Sequence, residues 1–334
     1  MAETVLLREW DAPFRVDIPL TLSVHGRGRS DPTFRIDRTG AVWRTSLTPE
    51  GPGTIWVAGR PATGRTTARP AGGVTGEAAG GVTGEAGGGT RVIARAWGPG
   101  AAWLLDALPG ALGLYDDISG FDPGSHPVLR EVARKHPGLR LGRTGRLMEA
   151  LVPAIMEQKV ATVEAHRAWR ILLARFGTPP PGPAPAGMRV FPEPKAWRRI
   201  PSWEWHRAGV EGVRAQTIFR AADVADSLER LLNQTSAEAR RKLQAIPGIG
   251  PWTSAETLQR AAGDPDAVSV GDYNLPKAVG WVLAGRQTTD DAAMLELLAP
   301  YAGHRYRVTR LVRLSGLRPP RRGPRLPVRD YRSF

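Results

Sequence analysis

LQAIPGIGPWTSAETL, residues 243–258, is the stretch on which the reading of this chain turns. A helical pattern ends near Ile246, the turn Pro247-Gly248-Ile249-Gly250 follows, and a second helix is predicted to start near Thr253. Two glycines one residue apart let the backbone turn sharply and come close to a partner. Amides around Gly248, Gly250, Trp252 and Thr253 would then point outward at a helix N-terminus, a geometry that binds an anion such as a phosphate without reading sequence. A plain helix–turn–helix corner with a C-cap glycine is the simpler alternative. It requires neither the second glycine nor Ile249 as an apolar plug between the two.

The composition agrees with a polyanionic partner. Net charge is +14 over 334 residues, and the pI is about 11.0. Nucleic acid is the commonest partner of so basic a chain, although a preference for arginine codons gives the same balance. There is no cysteine, which excludes disulfides, thiolate metal sites, cysteine nucleophiles and cysteine-ligated clusters. The six histidines have no metal-ligand spacing such as HExxH. No apolar run approaches a membrane span, and MAETVLLREWDAPF lacks the apolar core of a signal peptide. A cytoplasmic, nucleoid-associated monomer is expected.

Outward from the hairpin the chain divides into an α+β arrangement: a small antiparallel N-terminal sheet with a helix, then an all-α body. Short apolar runs in 15–57 (FRVDIPLTLSV, AVWRTSL, TIWVAG) are separated by turn signals and read as antiparallel strands. AGGVTGEA then occurs twice in succession, and 60–90 reads as a Gly-rich disordered insertion, with a strand at 91–96 resuming the sheet. Helical periods follow at 101–108, 147–156, 163–176 (capped by Thr162), 216–232, 236–245, 253–262, 276–284, 290–298 and 305–314. The expected units are 1–118, 119–317 and a basic disordered tail at 318–334, which carries six arginines against Asp330. The arginines of 305–314 read as a basic solvated face, some of them paired with acids.

Asp272 lies 22 residues beyond Gly250, in VSVGDYNLPKAV, after a loop holding Gly263, Asp264, Pro265 and Asp266. Alone, an aspartate before a helix is most often an N-cap. A hairpin of this kind, a Gly/Pro loop and then an aspartate resembles the signature of the helix–hairpin–helix DNA glycosylase superfamily. Within it the chain most resembles the AlkA-type 3-methyladenine DNA glycosylases, from about 13 to 317, interrupted by the Gly-rich and Pro-rich segments. That resemblance implies double-stranded DNA with damaged bases as partner. It implies Asp272 as the catalytic carboxylate, stabilising the positive charge that develops on the sugar as a base departs and orienting or deprotonating water.

The resemblance also assigns roles around Asp272. Trp252, Tyr273 and Tyr301 fall at pocket positions, where an aromatic face attracts a cationic, alkylated base; core packing is the alternative, and Tyr301 stands where the AlkA type has tryptophan. Gln158 and Lys159 fall in the loop that fills the space vacated by an everted base, with Lys159 in place of a leucine and Val160 as the other candidate wedge. The lysine used by strand-cleaving relatives of the endonuclease III branch is replaced by Trp252, which implies a monofunctional enzyme leaving an abasic site. No cofactor is required, but the carbonyls of Gln244, Ile246 and Ile249 match positions that hold a monovalent cation. A glycosylase of the same fold acting on oxidised or deaminated bases, and a non-catalytic damage-binding protein, are the competing readings.

Overall fold

The computed structural model describes residues 4–61, 89–124, 126–288 and 290–320. Five strands form one antiparallel sheet: β1 (Val5–Ala12), β2 (Phe34–Ile36), β3 (Val42–Thr48), β4 (Gly51–Pro61) and β5 (Thr90–Trp97), in the order β1-β5-β4-β3-β2. The sheet buries Val42, Ile55, Val57, Val92, Ala94 and Ala96. Against them pack α1 (Ile18–Leu22) and α2 (Ala101–Ala111), the latter through Leu104, Leu105 and Leu108. Most of the expected Gly-rich insertion, 62–88, and the tail 321–334 lie outside the described residues. The insertion joins β4 to β5, which are in register up to Pro61 opposite Thr90.

The rest is helical, as expected: α3 (Pro127–Lys135), α4 (Leu147–Met156), α5 (Thr162–Phe176), α6 (Pro194–Arg199), α7 (Ser202–Ala208), α8 (Gly212–Asp223), α9 (Ala225–Glu229), α10 (Ser236–Gln244), α11 (Pro251–Ala261), α12 (Leu275–Ala284), α13 (Asp291–Leu298) and α14 (Arg305–Leu314). They form two apolar cores. One is built by α4–α11 around Leu151, Ile155, Leu172, Trp197, Leu243 and Leu258. The other joins α3 to α12, α13 and α14 through Leu129, Leu275, Val279, Met294, Leu298 and Val308. The chain passes from the first core to the second between α11 and α12, the segment that carries Asp272. Among the described residues no helix is long and apolar enough to cross a membrane.

Several local expectations need correction. FRVDIPLTLSV is not a strand: Asp17 accepts the Leu20 amide at 2.9 Å and starts α1. Pro19 sits in its first turn, where a missing N–H costs nothing. A side-chain cap overrides the alternating pattern, and the edge strands are instead β1 and β2. Thr162 does not cap α5 but is its first residue; Glu164 reaches back to the Ala161 amide at 3.1 Å. The predicted helix 216–232 is two, broken at Val224. Of the α14 arginines only Arg313 is exposed, and two of the others pair with acids. Arg307 is buried against Asp116, and Arg305 pairs with Asp266, its Nε donating at 2.8 Å.

Candidate active site at the hairpin

The hairpin lies two residues earlier than the sequence suggests, with α10 ending at Gln244 and α11 starting at Pro251. Ile249 is buried in the first core. That plug turns the backbone on either side of it outward. The two glycines play different parts. Gly248 has φ +97, and a Cβ there would lie 2.2 Å from Thr217 Oγ1 on α8. Gly250 has extended backbone, φ −100, and a Cβ there would meet nothing. Gly248 is therefore demanded by the fold, while Gly250 keeps the outer side of the turn open. The first α11 amide with an intrahelical partner is that of Ser254, donating to Gly250 at 3.0 Å. The Trp252 and Thr253 amides ahead of it have no carbonyl within the helix and face the helix entrance, where the macrodipole favours an anion.

Asp272 stands close by, held by its own surroundings. Its Oδ1 accepts the Asn274 and Leu275 amides, each at 2.8 Å, and so starts α12. Its Oδ2 accepts the Trp252 indole N–H at 3.3 Å. The carboxylate thus serves as a helix cap with one oxygen and presents the other beside the hairpin. The capping and site readings of Asp272 do not exclude one another. Gly271, at φ +92, provides the turn just before it and donates its amide to Asp291 at 2.9 Å.

What fixes Asp272 relative to Trp252 is a buried polar stripe on α11. Gln259 donates to the Ala267 carbonyl at 2.8 Å and to Ser269 Oγ at 2.9 Å. Glu256 accepts the Ser269 hydroxyl and pairs with Arg260 at 2.7 Å. Burial alone would raise the Glu256 pKa, but the Arg260 guanidinium holds it below the usual carboxylate range. This stripe ties 267–269 to the same helix that bears Trp252. Sequence reasoning missed it; a Glu, a Gln and an Arg at helical spacing in an otherwise apolar segment were the available signal.

The remaining candidates fall at different distances from this centre. Gln158 does not face outward: its Nε2 donates to the Gly248 carbonyl at 2.9 Å and to Thr253 Oγ1 at 2.8 Å, stitching the α4–α5 loop onto the hairpin. Lys159, next to it, is exposed at φ +55, the one non-glycine with positive φ among the described residues. Such a conformation is uncommon for a side chain with a Cβ and is held only where the surroundings over-determine it. Tyr273 is 72% exposed and carries Lys277 Nζ 3.3 Å above its ring. It is therefore not a core aromatic, and only its other face is open to a ligand. Tyr301 is half-buried against the second core, which also contains Leu275. In the turn, the Ile246 carbonyl accepts the Ile249 amide at 3.0 Å and keeps a second lone pair. Gln244 closes α10, where a helix leaves carbonyls without amide partners. The donor set Gln244, Ile246 and Ile249 fits an oxygen-ligated monovalent cation. Among the described residues no group of His, Asp or Glu side chains is placed to hold a metal ion.

No protein-family model matches the chain. Two curated sequences, from two strains of Mycobacterium tuberculosis and described as a probable bifunctional transcriptional activator/DNA repair enzyme AlkA, are 36% identical over 154 residues. The match takes in 46% of this chain and spans 30% of the relatives' length. Among solved structures, a 3-methyladenine DNA-glycosylase from Archaeoglobus fulgidus superposes with a TM-score of 0.70 at 17% identity, over 92% of this chain and 98% of that one. The 8-oxoguanine glycosylase/lyase of Clostridium acetobutylicum with bound duplex DNA gives 0.64 at 12% identity, over 95% and 98%.

Proposed function

We propose that this chain, which has the fold of the helix–hairpin–helix DNA glycosylases and an AlkA-like sequence over nearly half its length, is a DNA glycosylase acting on alkylated bases of the 3-methyladenine and 7-methylguanine type. Double-stranded DNA carrying such a base is its partner, and it works as a monomer. The observation that carries the reading is the orientation of Asp272. One oxygen is committed to the α12 amides and the other is presented beside the hairpin, held by Trp252. A carboxylate so fixed needs no reorganisation to stabilise positive charge developing on a sugar.

The geometry supports the following division of labour. Gly250 and the helix-entrance amide of Trp252 receive a phosphate without reading sequence, while Thr253, 2% exposed, holds the turn through Gln158. The damaged nucleotide leaves the stack, and Lys159 or Val160 occupies the space it vacates. Alkylation at a ring nitrogen makes the base cationic and a better leaving group, so cleavage of the base–sugar bond needs little acid catalysis. Trp252 and the aromatic rings of Tyr273 and Tyr301 supply π faces for the cation. Asp272 stabilises the oxocarbenium-like sugar and orients the water that adds to it. With Trp252 where strand-cleaving relatives place lysine, no Schiff base forms there and the product is an abasic site. A monovalent cation on the Gln244, Ile246 and Ile249 carbonyls would stiffen the turn and add positive charge beside the phosphate.

The test is Asp272→Asn. Asparagine can still accept the α12 amides, so the helix cap survives. Its amide would meet the Trp252 N–H donor to donor, a small cost beside the loss of charge. Binding to DNA should persist while release of 7-methylguanine from methylated duplex falls on the order of a hundred- to a thousandfold. Near-wild-type single-turnover release would remove Asp272 from the reaction. A panel of methylated, oxidised and uracil-containing duplexes assigns the base class, and the need for alkali to break the strand assigns the abasic product.

A further inference from the structure

The segment Met156-Glu157-Gln158-Lys159 is held at three points, each by a different part of the molecule. The Met156 carbonyl accepts Arg214 Nη1 of α8 at 2.8 Å. Gln158 is bonded to the hairpin. Glu157, between them, pairs with Arg27 at 3.0 Å, and His166 of α5 lies 3.5 Å from the same oxygen. Arg27 belongs to the loop that follows α1, in the N-terminal unit. It is 5% exposed and has its own anchor: Asp31, fully buried, accepts the Arg27 amide and also the Trp169 indole of α5 at 3.0 Å. Burial alone would raise the Glu157 pKa, but Arg27 and then His166 bring it down to about 2. Immediately beyond these anchors, Lys159 sits exposed in the left-handed region.

A charged residue at the end of α4, all of whose residues except Glu149 are buried, must be paired to be tolerated. Here the partner comes from more than a hundred residues away, and the pair is one residue removed from the loop's other tie. A left-handed backbone at Lys159 is held where its surroundings over-determine it, and these ties fix the three residues that lead into it. We infer that Arg27 and Glu157 are positioning residues for the loop tip, through which the N-terminal unit sets where Lys159 enters a duplex and so governs eversion of the base rather than cleavage of its bond. The inference rests on the glycosylase reading above. A tip displaced by about 1 Å can lose on the order of a hundredfold in rate.

The experiment compares two oligonucleotide duplexes, one with 7-methylguanine opposite cytosine and one with the same lesion opposite a tetrahydrofuran abasic analogue. In the second the base is unpaired and eversion costs less. Glu157→Gln should lower release from the paired lesion on the order of a hundredfold while the unpaired lesion stays within a few-fold of wild type. A second variant joins Arg27→Met to Glu157→Leu. It removes both charges and leaves neither buried alone, so it keeps the test open if Glu157→Gln does not fold. The same split between the two substrates is expected of it. Equal losses on both substrates, or no loss on either, would overturn the inference. If the wild-type protein releases no base at all, the glycosylase reading fails, and eversion is then read directly from the emission of 2-aminopurine in a duplex. The wild type should raise that emission and both variants should not; equal emission from wild type and variants, or no rise with the wild type, overturns the positioning role as well.

Discussion

The two hairpin glycines are alike in sequence and opposite in what they tolerate. At Gly248 any side chain meets Thr217 and a backbone at φ +97. Gly248→Val should therefore cost a few kcal/mol of stability, seen as a large fall in Tm before any effect on DNA is measured. At Gly250 the backbone is extended and the space outside is open. Gly250→Val should fold with a loss of about 1 kcal/mol, mostly from valine's poor N-capping. It should nonetheless weaken binding to all duplexes alike, because its methyl groups occupy the position of the phosphate. The salt dependence of binding should become shallower by roughly one phosphate's worth. A folded Gly250→Val protein that binds undamaged duplex with the wild-type salt dependence would show that no phosphate sits there.

At the scale of elements, what was legible in the sequence was whatever has a local cause. The turn between α10 and α11 is written in Pro247-Gly248-Ile249-Gly250, and β3, β4 and β5 in their apolar runs. The helix α1 was misread because alternation in FRVDIPLTLSV imitates a strand, and the cap by Asp17 is visible only once Leu20 is in place. The helices α3, α6 and α7 were missed, and the short α6 and α7 have too few residues to carry a period. Around the site, Asp272 and Trp252 could be singled out, but their hydrogen bond could not, nor could the Arg27–Glu157 pair, which depends on a contact more than a hundred residues apart. The β4–β5 connection gives a prediction of its own. Because the two strands are in register up to Pro61 and Thr90, replacing 63–88 with a short turn should leave the hairpin closed. Loop-closure entropy changes slowly with length, by about 0.6 kcal/mol per doubling. Tm should stay the same or rise slightly, and base release should be unchanged. A large fall in Tm would mean that the segment contributes structure.

On the scale of the whole molecule, the N-terminal sheet meets the helical body through buried polar groups rather than a continuous apolar face. Glu149 of α4 accepts Arg44, Ser46 Oγ and the Leu47 amide, each at 2.7 Å. Arg260 of α11 donates to the Val24 carbonyl at 2.9 Å, and Thr45 to the Arg189 carbonyl at 2.6 Å. Arg27 and His25 lie in the same junction, beside a cavity lined also by Arg44, Glu149, Trp169 and Arg260. Burial, and then Arg44, Arg260, Arg27 and Arg310, push the His25 pKa well below its ordinary 6.5. His25 is therefore neutral in the folded protein at a pH where the unfolded chain has begun to bind a proton. Its contribution is complete above pH 6.5 and is lost as the pH falls below that value. Glu157, brought from 4.5 to about 2, acts lower down: its stabilisation is present above pH 4.5 and is lost as the pH falls toward 2. At its full extent that second contribution is on the order of 3 kcal/mol. Both groups tilt stability the same way, so Tm should hold near neutrality, begin to fall below about pH 6.5, and fall again below about pH 4.5. His25→Gln should flatten the upper fall alone. The double change of Arg27→Met with Glu157→Leu should flatten the lower fall and leave most of the upper one, because burial, Arg44 and Arg260 outweigh Arg27 at His25. A Tm profile of the wild type that stays level from pH 7 to pH 5 would show that His25 does not titrate against this junction, and the coupling of sheet to helices through buried charge would lose its pH signature.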